Sequence, residues 1–363
     1  INSVVDVLNS DYITQGPTVD EFEKKLADHF GSKYAVVFNS GTSALHGAYF
    51  AIDLGQSQEI VTSPITFVAT SNAALYLGSK PTFCDIESTT GNINPLLIQV
   101  KKNVKAIVPV HYAGSPVDLK SIYDLAHEND LYVIEDAAHA MGANYNNHTI
   151  GSCKYSDMTV FSFHPVKHIT TGEGGAVLTN NPDFRDKMLK FRSHGINKDN
   201  FQYEPHGDWY YEMEFLGYNY RMTDIQAALG LSQLNKLKGF VKRRRKIAQI
   251  YEEIFEGNPY FDTIECINTE SSYHLFPILL KDQYKCKKSN IFIQLREKGL
   301  GVQVHYIPVY LQPYYKNLGY RGGLCPLAED FYQREISIPI YPVMSDNDVN
   351  YVVNAIYEIF GRL

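Results

Sequence analysis

The strongest constraint on the fold is the segment at residues 131–136, a short strand pattern with apolar side chains on both faces. Such a strand must be covered on both sides, which is typical of a parallel sheet flanked by helices. Strand and helix patterns alternate up to about residue 246 and then give way to a looser mixture, in which residues 301–306 are predicted to form a strand. The sequence therefore predicts an α/β fold, with a mostly parallel central sheet in residues 1–246 and a smaller α+β domain in residues 247–363.

The size and composition of the chain limit its function. Its 363 residues are enough for one large and one small domain, and its 44% hydrophobic and 20% charged residues are typical of a globular protein with a sizeable core. A net charge of −7 argues against a nucleic-acid partner, since such binders are usually basic. The dense basic run at residues 242–246 lies in a helical pattern. A solvated helix face is the simpler interpretation, and a contact to a nucleotide phosphate is the alternative.

Cysteine usage and hydropathy indicate the compartment. The 5 cysteines are widely spaced and form no Cys-x-x-Cys pair, which favours reduced thiols in a cytoplasm. No apolar run approaches the ~20 residues that cross a membrane, so we expect no membrane partner. We also expect no signal peptide, and the first residue, Ile1, lies inside a helical pattern.

A loop around Lys167 carries the clearest chemical signal. Residues 158–163 alternate and are rich in aromatic side chains, which predicts a buried strand, and residues 176–179 predict the next one. The loop between these strands is rich in Gly, Thr and Pro and places one lysine in a largely apolar, hydroxyl-rich setting. A desolvated lysine loses its proton readily, and the neutral amine is the nucleophile that condenses with an aldehyde.

Two other strand ends carry residues suited to binding. Residues 39–45 follow a predicted strand and open a helix with Gly and hydroxyl side chains, which makes either an anion site or an ordinary Ser/Thr N-cap. Asp136 ends the strand at residues 131–136 and is followed by Ala-Ala-His. A carboxylate at the carboxyl end of a strand in an open α/β sheet lies where ligands bind, although capping of the next turn is the alternative.

A metal site and a nicotinamide site are both disfavoured. His164 and His168 stand four residues apart, which on a helix would make a metal-binding pair. Pro165 and the β-branched and Gly residues that follow it disfavour a helix, so we predict no metal site. The Gly-Glu-Gly-Gly run at residues 172–175 precedes a strand and lacks the spacing of a dinucleotide fingerprint.

The lysine segment resembles that of a known family. Ser162-Phe-His-x-x-Lys167, followed by Thr-Thr-Gly-Glu-Gly-Gly, is similar to the cofactor-lysine segment of the DegT/DnrJ/EryC1/StrS family of pyridoxal-phosphate (PLP) sugar aminotransferases. The similarity extends from Thr14 to Tyr306 in the family's motif order. It implies fold type I and PLP bound as a Schiff base to Lys167. It also implies transfer of an amino group from L-glutamate to C4 of a UDP-linked 4-keto-6-deoxy-N-acetylhexosamine (UDP-4-keto-6-deoxy-L-AltNAc), as in pseudaminic acid biosynthesis.

The resemblance also implies a role for each matching residue. Lys167 and Asp136 are the implied catalytic residues, with Asp136 paired to the pyridine nitrogen of PLP. The implied cofactor contacts are Gly41, Thr42 and Ser43 at the phosphate, Phe67 and Ala138 on the two faces of the ring, His139 at the phenolic oxygen, and Ser162. Asn219 is implied to cross a homodimer interface to the neighbouring PLP phosphate. The implied contacts to the sugar nucleotide are Thr14, Gln15, His305 and Tyr306.

Three alternatives to this function stay open at this point. Nucleotide-sugar 4-aminotransferases of the bacillosamine or 4-amino-arabinose type carry much of the same motif set. PLP-dependent sugar dehydratases of the family have a histidine at the lysine position, so Lys167 argues against them. A non-catalytic regulatory protein on this fold is the third alternative, because a fold does not determine a function; the intact set of Lys167, Asp136, Ser162 and Asn219 argues against it.

Overall fold

A seven-stranded sheet forms the centre of the computed structural model, which describes residues 1–266 and 269–362. In the described residues the strands are β1 (Tyr34–Phe38), β2 (Glu59–Thr62), β3 (Lys80–Phe83), β4 (Val104–Val108), β5 (Tyr132–Asp136), β6 (Asn144–Tyr145), β7 (His148–Thr149), β8 (Met158–Ser162), β9 (Gly175–Thr179), β10 (Ile196–Asn197), β11 (Glu212–Met213), β12 (Phe261–Thr263), β13 (Thr269–Glu270), β14 (Phe276–Leu280) and β15 (Glu335–Ile338). The central sheet has the order β1-β9-β8-β5-β4-β2-β3. All neighbours from β8 to β3 pair in parallel, and β9 alone runs antiparallel to both of its neighbours. The predicted mostly parallel sheet is confirmed.

Helices cover both faces of this sheet. The α-helices of the described residues, including those of the smaller part of the chain, are α1 (Asn2–Leu8), α2 (Pro17–Phe30), α3 (Gly41–Ala51), α4 (Ala69–Tyr76), α5 (Leu119–Glu128), α6 (Pro182–Phe191), α7 (Asp224–Leu234), α8 (Leu237–Phe255), α9 (Lys288–Glu297), α10 (Pro313–Asn317), α11 (Pro326–Arg334) and α12 (Asp346–Phe360). None of these helices is both long enough and apolar enough to cross a membrane.

The alternation of side chains along each strand produces two apolar cores. On β5, Val133 packs into the core that contains α2, while Ile134 packs into the core that contains α3. Successive side chains of a strand point to opposite faces, so the two cores lie on opposite sides of the sheet. This explains the apolar pattern of residues 131–136, because a strand between two cores has no face exposed to water.

A second, smaller sheet has the order β12-β14-β15 and its own apolar core. Helix α8 links the two cores, since Val241 packs with the large sheet and Ile247 packs with the small one. The helix is continuous through residue 246, and the division into domains at residues 246 and 247 stays a prediction. Residues 301–306 were predicted to form a strand, but they form only an isolated bridge between Gln303 and Ser337.

Two helical glycines, Gly230 on α7 and Gly239 on α8, differ in the space around them, so the same substitution should affect stability differently at each. A Cβ atom at Gly230 would lie 2.5 Å from the Phe22 ring, whereas a Cβ atom at Gly239 would meet nothing within 4 Å. We expect Gly230→Ala to lower the free energy of unfolding by about 1–3 kcal/mol through overpacking. Gly239→Ala should leave it unchanged or raise it by up to about 1 kcal/mol, because alanine favours the helix. Urea unfolding measures both, and equal effects would contradict this account.

Candidate active site

A cavity of about 520 Å³ lies at the carboxyl edge of the central sheet. Asp136 ends β5, Ser162 ends the parallel neighbour β8, and Gly41 begins the helix that follows β1. Ligands bind at this edge of open α/β sheets. The cavity brings together a large part of the predicted site, namely Gly41, Thr42, Phe67, Asp136, Ala138, His139, Ser162, Lys167, His305 and Tyr306.

Lys167 lies in the cavity wall on the predicted loop between β8 and β9. The loop is fixed by backbone bonds, including one from the Lys167 N–H to the His164 carbonyl (2.9 Å). Burial lowers the pKa of the Lys167 amine to about 8, and the negative charge of Asp136 opposes that change. The lysine is therefore neutral over a much larger part of the pH range than an exposed lysine, as a nucleophilic amine requires.

Asp136 also lines the cavity and is held by hydrogen bonds. Its Oδ2 accepts the hydroxyl of Thr70 (2.6 Å), and its Oδ1 accepts the backbone N–H of Ala138 (3.2 Å). The Thr70 hydroxyl also contacts that of Thr66 (2.7 Å). The side chain of Asp136 is thus oriented by hydrogen bonds on both oxygens. Sequence reasoning missed Thr66, which precedes α4, and Thr70, which lies in the first turn of α4, because no motif marks either residue.

His139 and Tyr306 join the two parts of the chain across the cavity. The Tyr306 hydroxyl and Nε2 of His139 lie 3.0 Å apart. Burial, with smaller contributions from Lys167, His305 and His168, lowers the pKa of His139 well below its usual value. The imidazole is therefore neutral, and its buried Nδ1 has no hydrogen-bond partner in the part of the chain that the structure describes.

The turn before α3 forms the N-cap that its sequence suggested, and it also faces the cavity. Ser40 is the N-cap, and its side chain accepts the backbone N–H of Ser43 (3.1 Å) in a capping box. Gly41 and Thr42 line the cavity, where first-turn N–H groups are available to an anion. A Cβ atom at Gly41 would lie 2.9 Å from that of Ser162, so only glycine allows this close approach. The hydroxyl of Ser43 instead bonds Oδ1 of Asn39 (2.7 Å).

The remaining predicted residues lie outside this cavity. Asn219 is exposed on a loop, and its backbone carbonyl accepts a long bond from the Asn39 amide (3.5 Å). Thr14 and Gln15 are also exposed, on the segment before α2. Their predicted roles toward the cofactor and the substrate stay predictions. Phe67, by contrast, lines the cavity and is 59% exposed, and its ring lies 6.4 Å from that of Tyr306.

The residues of the cavity fit PLP. They supply a lysine with a lowered pKa for its aldehyde, a fixed carboxylate for its ring nitrogen, a helix N-terminus for its phosphate and an exposed aromatic ring for stacking. Within residues 1–266 and 269–362, no group of three or more His, Cys, Asp or Glu side chains is arranged to hold a metal ion.

Comparison with known families identifies the chain's relatives. The model of the DegT/DnrJ/EryC1/StrS aminotransferase family matches residues 1–357. The chain belongs to this family. A UDP-4-amino-4,6-dideoxy-N-acetyl-β-L-altrosamine transaminase of Campylobacter jejuni is 41% identical over 371 residues, which cover 100% of this chain and 95% of that protein.

Two solved structures extend the similarity to the fold. Helicobacter pylori PseC, an aminotransferase involved in pseudaminic acid biosynthesis, has a TM-score of 0.93 at 38% identity, covering 100% of this chain and 96% of its own. A Streptococcus pneumoniae protein assigned as a sugar aminotransferase, solved in its PLP form, has a TM-score of 0.92 at 28% identity, covering 99% of this chain and 95% of its own. The predicted fold type and family membership are therefore confirmed.

The segment that carries Thr14 and Gln15 depends on one buried carboxylate. Asp224, at the start of α7, accepts the backbone N–H groups of Gly16 (2.8 Å) and Thr18 (3.0 Å). A Cβ atom at Gly16 would lie 2.4 Å from that of Tyr12, so the segment is packed tightly at this point. Asp224 thereby fixes the position of a segment that is 208 residues away along the chain.

We expect Asp224→Ala to loosen this segment, because two backbone N–H groups lose their acceptor. The free energy of unfolding should fall by about 1–3 kcal/mol, and amide hydrogen exchange at residues 14–18 should accelerate. Asp20→Ala is the matched control, since it removes an exposed carboxylate from the first turn of the same helix α2. Unchanged exchange at residues 14–18 in Asp224→Ala would contradict the assignment.

Proposed function

We propose that this protein is a PLP-dependent aminotransferase that moves the amino group of L-glutamate to C4 of a UDP-linked 4-keto-6-deoxy-N-acetylhexosamine. The observation that carries the reaction type is the presence of Lys167 and Asp136 in one cavity at the carboxyl edge of the sheet. The choice of sugar is supported by the C. jejuni transaminase and by PseC, which match essentially the whole chain. UDP-4-keto-6-deoxy-L-AltNAc, of the pseudaminic acid pathway, is the acceptor we propose.

Lys167 and Asp136 divide the chemical work. PLP, when bound, supplies an electron-accepting ring that makes the proton on the substrate carbon acidic. We propose that Lys167 would hold the cofactor through its amine and, once free, would move the substrate proton as general base and then as general acid. Asp136, oriented by Thr70 and the Ala138 N–H, would face the ring nitrogen and favour its protonated form.

The other cavity residues hold and orient the ligands in this proposal. Gly41 and Thr42, with Ser43, provide the phosphate site at the start of α3, and Ser162 closes it from β8. Phe67 and Ala138 flank the ring. His139, which is neutral and bonded to Tyr306, contacts the phenolic oxygen. His305 and Tyr306 contact the sugar nucleotide, together with Thr14 and Gln15 on the segment held by Asp224.

We also propose that the active unit is a homodimer. Asn219 is exposed and outside the cavity of its own chain, which leaves it free to contact the cofactor phosphate of a neighbouring subunit. Exposed apolar side chains precede Asn219 in the same region, including Trp209 (75% exposed) and Leu216 (77% exposed). A cytoplasmic location is proposed from the cysteines, which are all free in the described structure.

The turnover assay combines the protein, PLP, L-glutamate and the UDP-4-keto sugar. We expect stoichiometric 2-oxoglutarate and a UDP-4-amino sugar, identified by mass spectrometry and NMR. Lys167→Ala should lose the activity, by at least about 10³-fold, and the visible absorbance of the bound cofactor, because no amine remains to form the bond. Retention of both would exclude Lys167, and amination of only a bacillosamine-type or arabinose-type acceptor would exclude the proposed sugar.

The lowered pKa of Lys167 predicts how cofactor capture depends on pH. The neutral amine is the reactive form, so the rate of covalent PLP capture by the cofactor-free protein should rise with pH and level off above about 8. An ordinary lysine would continue to gain rate toward about pH 10.4. Because the charge of Asp136 raises the Lys167 pKa, Asp136→Asn should move the midpoint to lower pH. Stopped-flow absorbance measures both midpoints, and a midpoint above pH 10 would contradict the assignment.

A further inference from the structure

Strand β15 carries two buried polar residues that the proposed chemistry does not use. Its pattern alternates, with Ile336 and Ile338 in the core of the small sheet and Glu335 and Ser337 on the other face. Glu335 is 0% exposed and Ser337 is 4% exposed. A buried carboxyl group is rare because its burial is energetically unfavourable, and apolar residues at these positions would stabilise the strand more. This pair therefore calls for a functional explanation.

Both residues face His305 in the cavity wall. Oε2 of Glu335 accepts the backbone N–H of His305 (2.8 Å), and the Ser337 hydroxyl donates to Oε1 of the same carboxyl group. The Ser337 hydroxyl also lies 2.9 Å from Nδ1 of His305. On the other side of the segment, the Tyr112 hydroxyl donates to the His305 carbonyl (2.6 Å). Three side chains therefore hold His305: Glu335 and Tyr112 bond its backbone, and Ser337 bonds its ring.

We propose that Glu335 and Ser337 are positioning residues, which form a hydrogen-bond relay that holds the imidazole of His305 against the sugar of the substrate. The relay occupies Nδ1, so Nε2 is the ring nitrogen left for a ligand. This inference rests on the proposed function. It assigns part of the protein's specificity for the sugar to Glu335 and Ser337, which are not among the residues that line the cavity.

The charge of His305 indicates which part of the substrate it meets. Burial and the nearby Lys167 lower the pKa of His305 to about 4, so the ring is neutral at neutral pH. A neutral imidazole suits a hydroxyl or amide group of the sugar better than a diphosphate.

The carboxyl group of Glu335 has its own titration. Burial raises the pKa of Glu335 to about 8, and the titratable groups that face its carboxyl are those of Lys288, Tyr112, His305 and Tyr306. Whether or not Glu335 is protonated, hydrogen bonds join its carboxyl group to the Ser337 hydroxyl and that hydroxyl to the His305 ring.

Binding to the pyridoxamine phosphate form tests the relay without turnover, since the amino-sugar product cannot react there. We expect Ser337→Ala to weaken binding of the UDP-4-amino sugar about tenfold, as for one lost hydrogen bond, and to leave binding of UDP unchanged. Ser337→Thr should restore sugar binding because it keeps the hydroxyl. Ser345→Ala is the matched control, since it removes a hydroxyl that caps α12 and is not part of the relay.

The two half-reactions separate positioning from general damage. Ser337→Ala should slow the keto-sugar half-reaction about tenfold and leave the glutamate half-reaction unchanged, whereas a structural defect in the cavity would slow both. Glu335→Met should have at least the same effect, and the double variant should be no worse than Glu335→Met, because one relay is removed. Three results would each overturn the relay. The effects of Ser337→Ala and Glu335→Met on the keto-sugar half-reaction could be additive in the double variant, the loss in UDP binding could equal the loss in UDP-4-amino sugar binding, or Ser337→Ala could behave like the wild-type protein.

The same measurements distinguish this inference from the proposed function. If the wild-type protein binds the UDP-4-amino sugar no better than UDP and does not aminate the keto sugar, the proposed substrate is wrong. If the wild-type protein does both and Ser337→Ala behaves like Ser345→Ala, only the relay is wrong.

Discussion

The site depends on one arrangement, in which a lysine amine and a carboxylate share a single cavity. Removing either charge from water is costly, and the protein offsets that cost differently for the two groups. Asp136 keeps its position through bonds to Thr70 and the Ala138 N–H, whereas the pKa of Lys167 falls to about 8. The cavity therefore contains a fixed anion and an easily neutralised amine, which is the pair that an aldehyde cofactor with a basic ring nitrogen needs.

The sheet topology makes this pairing possible. Asp136 and Ser162 end neighbouring parallel strands, so both residues lie at one edge of the sheet, although the sequence separates them by turns and the β6–β7 hairpin. The antiparallel β9 then returns the chain beside β1, and its first residue, Gly175, abuts the start of α3. A Cβ atom at Gly175 would lie 2.6 Å from the Ser40 carbonyl oxygen, which shows how closely the lysine loop and the helix N-terminus approach.

The small sheet contributes to the cavity through one segment. His305 and Tyr306 come from residues that were predicted to form a strand, but their hydrogen bonds go to the side chains of Glu335, Ser337, Tyr112 and His139 and not to the backbone of a neighbouring strand. Side chains have thus replaced the ladder of a sheet, which frees this segment to face the cavity. Tyr306 reaches His139 of the large sheet, so the two parts of the protein meet at the site itself.

The sequence alone determined the fold class, the family and the two central residues, because these depend on local patterns: apolar periodicity, strand ends and a contiguous motif around Lys167. The resemblance to the family pointed to Phe67 and His139, and the Gly and hydroxyl pattern located the start of α3. Only the tertiary structure revealed the support given by Thr70, Asp224 and the Glu335–Ser337 pair. Their contacts join residues that are 66, 208 and 30 positions apart, and no local pattern encodes which buried polar groups will meet. Such groups are selected by the need to satisfy each other away from water, which is decided only when the chain is packed.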